Sequence, residues 1–223
     1  CPTQALTGER AMKITLAAAA VVLLSCTLAC AQSATPERQV KGQTVRSERH
    51  PAVHIKLPAQ ARYVGAYRWT LYDVADCELH VFVEADETKR VQRLYWIQFE
   101  GYIPSRPDLQ YDYSKDAITE LAGRKFFANA SFGEPNRKPR SGSDLEQVQR
   151  LIRTSGYTLP DHSINVRLVN LFEGNRKELM IIYAEDMKPT GFTPEELKSG
   201  GRAEEQWPEI QRQLLENAKA RIA

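Results

Sequence analysis

C-E-L-H-V-F-V-E at residues 77–84 and L-Y-W-I-Q-F-E at 94–100 decide how this chain is read. Both alternate apolar with polar or amphipathic side chains, which is the period of a strand whose successive residues face opposite sides of a sheet. In the first, Cys77, Leu79, Val81 and Val83 share one face, and Glu78, His80, Phe82 and Glu84 the other. The second belongs to a longer strand over 91–102. It sends Tyr95, Ile97 and Phe99 one way and Leu94, Trp96, Gln98, Glu100 and Tyr102 the other. Aligning the strands by their aliphatic faces gathers Glu78, His80, Phe82, Trp96, Gln98 and Glu100 on one aromatic and polar surface.

Upstream, Y-V-G-A-Y-R-W-T-L-Y at 63–72 has the same period, and its Arg68, Thr70 and Tyr72 join that surface. Short polar turns between the three runs predict an antiparallel meander. Downstream, residues 125–132 read as a short strand. S-D-L-E at 143–146 is a capping box opening a helix with Leu145, Val148, Leu151 and Ile152 as its apolar stripe; Gly156 stands at its end. Residues 164–172 and 178–186 flank the turn E-G-N-R-K as a second hairpin. T-P-E-E at 193–196 starts a helix, and after Gly200 and Gly201 a longer one carries Trp207, Ile210, Leu214, Ala218 and Ile222 at helical spacing. The expected fold class is α+β: a mostly antiparallel sheet, meander plus second hairpin, with two helices packed on one face.

The N-terminal third reads differently. Residues 1–11 precede Met12 without periodicity and are read as an upstream or cloning remnant. Lys13 and the uncharged run 14–31, ending in A-C-A, make 12–31 a signal peptide, too short for a membrane span. Cleavage after Ala31 competes with a bacterial lipobox at L-L-S-C or T-L-A-C, in which Cys26 or Cys30 would carry a lipid anchor. Either route predicts export to the periplasm or beyond. Residues 32–60, polar and with prolines at 36, 51 and 58, are expected to be a tether with at most a short strand near 53–57, leaving 61–223 as one domain.

Without residues 1–31 the chain keeps 28 basic and 27 acidic side chains. That balance lacks the clustered positive charge nucleic acid requires, so no nucleic-acid partner is expected. The basic N-R-K-P-R at 136–140 reads as a solvated loop. No G-x-S-x-G, phosphate-binding glycine loop or dinucleotide fingerprint is present. Cys77-x-x-His80 is discounted as a metal site because residues three apart on a strand point to opposite faces. No metal or other cofactor is expected.

The residues left as candidates are Arg68, Tyr72, His80, Trp96, Gln98 and Glu100. Aromatic bodies with a few polar tips suit a small-molecule site, and equally a solvent-facing sheet. The expectation is a secreted or lipid-anchored envelope domain that binds a small ligand or an envelope protein without catalysis. The alternative is an envelope hydrolase using Glu78, His80 or Glu100 as acid or base. A carboxylate beside His80 with its pKa raised by burial favours the hydrolase, and a face covered by the C-terminal helix favours a structural role.

Overall fold

The computed structural model describes residues 35–223. The remnant, the signal peptide with Cys26 and Cys30, and the first tether residues lie outside the described residues. Ten strands form two antiparallel sheets. The larger has seven strands: β4 (Arg62–Leu71), β5 (Ala75–Ala85), β6 (Val91–Tyr102), β7 (Ala117–Leu121), β8 (Arg124–Gly133), β9 (Ser163–Phe172) and β10 (Lys177–Asp186). Their spatial order is β4-β5-β6-β10-β9-β8-β7, so the meander and a second run of strands meet where β6 pairs with β10. The α+β class, the meander and the second hairpin stand as expected; β7 does not follow from the apolar pattern, because this edge strand leaves Ile118 exposed.

Each face of this sheet carries a packed core. On one, Phe82, Tyr95, Ile97, Phe99, Leu179, Ile181 and Tyr183 form the larger core with the longest helix, α3 (Trp207–Arg221), through Leu214 and Ala218. On the other, Leu79, Val81, Val83, Leu94 and Trp96 pack against Val148 and Ile152 of α1 (Asp144–Thr154). The short α2 (Pro194–Leu197), capped by Thr193 and Glu196, adds Leu197 to the larger core. The two long helices therefore cover opposite faces rather than one. At α1 the close approach falls on Gly65, at a register shift in β4 and with φ of +150°, where a Cβ would lie 3.1 Å from Leu151 Cδ2.

The expected tether is part of the fold. β1 (Gln39–Lys41), β2 (Thr44–Ser47) and β3 (Val53–Lys56) make a three-stranded sheet, and Val45, Ile55 and Leu57 enter the larger core. Alternation lets three very short strands bury one apolar row while their other side stays polar, so a polar average composition hid them. Lys56 and Ala223 exchange backbone hydrogen bonds at 2.7 and 3.0 Å, tying β3 to the end of α3.

Candidate functional site

Register decides where the candidates go. Across β4, β5 and β6, Arg68 pairs with Glu78 and Glu78 with Phe99, whereas Val81 pairs with Trp96, Leu79 with Gln98 and Cys77 with Glu100. Residues opposite each other share a face, so the single surface expected from the sequence does not exist. Arg68 and His80 face the larger core and the three-stranded sheet. Trp96, Gln98 and Glu100 lie on the α1 face, and Tyr72 sits in the β4–β5 turn with φ of 48°.

On the larger-core face Glu78 organises a closed cluster. Its carboxylate accepts from the backbone amides of Glu37 and Arg38 at 2.7 and 2.8 Å and from His80 Nε2 at 2.9 Å. Arg38 Nη1 lies 3.3 Å away and Arg68 Nε 3.7 Å. Burial alone would raise the Glu78 pKa, but the His80 hydrogen bond, the two amides and Arg38 outweigh it and bring it down to about 2. His80 is fully buried, with Nδ1 3.3 Å from the Tyr63 hydroxyl. The carboxylate beside His80 is thus lowered, not raised, and its lone pairs are occupied by the incoming N-terminal segment. This group is an anchor for residues 37 and 38; His80 is enclosed within it, while part-exposed Arg68 lines a separate cavity of about 550 Å³ with Phe99 and Glu100.

The α1 face holds a second polar cluster. Trp96 Nε1 donates to Gln98 Oε1 at 2.8 Å, and Gln98 Nε2 donates to Glu100 at 2.6 Å and Asp144 at 3.3 Å. Tyr111 donates to Glu100 at 2.8 Å, and Tyr113 to Glu178 at 2.9 Å. Glu178 stands opposite Glu100 on β10, so Cys77, Glu100 and Glu178 form one cross-strand row beneath the start of α1. Three carboxyls this close cannot all ionise cheaply. Burial first, and then proximity to Glu100, raises Glu178 to about 8 and Asp144 to about 6; the same two causes push the Cys77 thiol upward. Glu178 relieves the crowding by keeping its proton near neutral pH.

Cys77 and His80 do point to opposite faces, which removes the sequence-adjacent pair as a metal site. Cys77 instead meets Glu100 and Asp144, each offering a donor atom within 4.8 Å of the others. Hydrogen bonds to Gln98 and Tyr111 engage Asp144 and Glu100, and burial keeps the Cys77 thiol protonated, so the donors are occupied as they stand. Asp144 and Glu178 were missed in the sequence because one reads as the acid expected in a helix's first turn and the other as a strand's polar start. The acid that follows Arg176 and Lys177 and directly opens the apolar run 179–184 is the available signal.

Beside this cluster the sheet is open. A groove of about 570 Å³ runs between α1, the loop 134–142 and the face of β6, β10 and β9. Leu94, Trp96, Ile182 and Ala184 are its floor, with Val148 and Leu159 as apolar walls. Tyr72 and Asp144 stand at one end with Arg140, whose guanidinium lies 4.3 Å from the centre of the Tyr72 ring. Of the six sequence candidates, Trp96 and Tyr72 line the groove, while Gln98 and Glu100 support it from the adjoining cluster. No protein-family model, curated protein or solved structure matches the chain.

Proposed function

We propose that the chain is a non-catalytic binding domain of the bacterial envelope, exported by its N-terminal signal and holding a small amphipathic molecule in the groove beneath α1. One observation carries the reading: an open groove of about 570 Å³ has a recessed apolar floor and polar groups at its rim. That volume lies within the roughly 300–1,000 Å³ typical of small-molecule sites. Trp96 supplies broad apolar area and is held in orientation by its bond to Gln98. The alternative of a Glu–His hydrolase loses support because the Glu78–His80 pair is closed off and its carboxyl lowered. An acid–base role for Asp144, raised to about 6 at the groove's end, is the second reading.

The test is binding of a neutral fluorescent naphthylamine probe, followed with an Ala184→Phe variant that fills the floor. Saturable binding that the variant abolishes, with its folding cooperativity kept, supports the groove. Binding unaffected by the variant, or none at all, overturns it. Esterase or glycosidase activity lost in Asp144→Asn would install the second reading instead.

A further inference from the structure

The groove's rim has a charge pattern its floor does not explain. The loop carrying Arg137 and Arg140 is held in place from below. Buried Gln149 of α1 donates to the carbonyl oxygens of Pro135 and Arg137, each at 2.8 Å. Asn136 donates to the carbonyls of Leu159 and Pro160 at 3.0 and 3.1 Å. A buried amide used in this way fixes the backbone from which both arginines project, so the basic N-R-K-P-R stretch is a solvent-exposed loop, as expected, on a held backbone.

Both arginines line the groove, Arg140 with its guanidinium over the Tyr72 ring, and among the described residues neither lies within ion-pair distance of a carboxylate. The acids around them are mostly engaged. Asp186 takes Arg90 Nε and Nη2 at 3.2 and 3.1 Å, Glu185 accepts from Tyr183 and Asn217, and Asp144 accepts from Gln98. Arg93, the remaining cation of the lining, is paired with Glu84 at 3.0 Å. Two guanidiniums without an ion pair are therefore set against two carboxyls without one, Glu134 and Asp144, of which only Glu134 is exposed. The planar fork of arginine matches the paired oxygens of a carboxylate or phosphate.

Resting on the ligand-groove reading, we infer that the occupant is a single amphiphile with an anionic oxygen head group. Its head is held by Arg137 and Arg140 and its apolar body lies on Trp96, Leu94 and Ile182. It is a free molecule rather than a lipid in a bilayer, because the apolar residues form a recessed floor and do not protrude as an inserting surface would.

Calorimetric titration with three monomeric probes below their micelle concentrations separates the possibilities: dodecyl phosphate, dodecanoate and neutral dodecyl maltoside. The anionic probes should bind about tenfold or more tightly than the neutral one, the scale of one charge-assisted hydrogen bond. Arg137→Gln with Arg140→Gln should remove that preference and leave the neutral affinity unchanged. Arg46→Gln with Lys56→Gln, on the exposed side of the three-stranded sheet, should change neither. Equal affinities for all three probes, or an equal loss for all in the arginine variant, would overturn the anionic head while leaving the groove standing. No binding of any probe would overturn both. Sedimentation with phosphatidylglycerol vesicles, when the monomeric probes fail to bind, would replace the free amphiphile by a membrane surface.

Discussion

Replacing Glu78 with glutamine tests whether its cluster holds the fold together. The Glu78 carboxylate is 2 % exposed and is met by two backbone amides, His80 and Arg38. Burial opposes ionisation, yet these partners prevail and lower its pKa from 4.5 to about 2. With a folded-state pKa below the unfolded one, the unfolded chain takes up the proton first as the pH falls. The stabilisation is therefore complete above pH 4.5 and is lost as the pH drops toward about 2. A shift of this size is worth about 3 kcal/mol, at roughly 1.4 kcal/mol per unit. Glutamine does not titrate here and turns an N–H₂ donor toward at least one of the donors now bound. Urea unfolding of wild type and Glu78→Gln, followed by circular dichroism from neutral pH down to about 2, isolates this group, because every other carboxyl is common to both. The wild-type advantage should shrink by about 3 kcal/mol across the window. An advantage that stays constant with pH would refute the claim that these contacts hold Glu78 ionised.

The opposite face predicts the opposite sign. Glu178, raised from 4.5 to about 8, keeps its proton in the folded chain while the unfolded chain releases it, so stability falls as the pH rises between those values. Glu178→Gln should therefore gain stability over wild type as the pH rises through that interval, by roughly 3–5 kcal/mol at its upper end; unfolding curves whose difference does not change from pH 5 to pH 9 would contradict the buried carboxyl row. Cys77, 2 % exposed and with its thiol pushed up by burial and by Glu100, should resist an aromatic disulfide reagent at pH 8 until urea unfolds the domain. Peptide mass spectrometry that finds Cys77 labelled within minutes in native buffer would show the site to be open.

Much of the fold was legible in the sequence because alternation and turn residues are local signals. The three meander strands, the 164–186 hairpin and the Ser143 cap of α1 all appear where the pattern places them. The cap is nonetheless only half the expected box, since Glu146 accepts from Gly142 at 2.7 Å and not from Ser143. Facial alignment between strands was not legible. Alternation states which residues of β6 share a face, but not which face of β5 they join, and that depends on turn geometry and the bulge at Glu84/Ala85. A sheet with one wet face would have resolved this by hydrophobicity. Here each face carries a packed core, so Tyr95, Ile97 and Phe99 were as plausible beside Leu79 and Val81 as beside Phe82.

The candidate site suffered most from that ambiguity. Alternation groups His80 with Trp96, yet they lie on opposite sides of the sheet. The partners that give each its meaning come from distant segments: residues 37 and 38 for Glu78, and Asp144, Tyr111 and Glu178 for Glu100. Short strands with few apolar residues, such as β1 to β3, are likewise stabilised by what they pack on, and composition alone does not reveal them.

The groove under α1 is proposed to carry a small molecule in the cell. Native mass spectrometry of the protein purified from bacterial envelopes, wild type beside Ala184→Phe, tests it most directly and reads the mature N-terminus in the same spectrum. A bound species present in the wild type and missing from the filled variant is the predicted result. A bare wild-type chain, or the same bound species in both proteins, would contradict it.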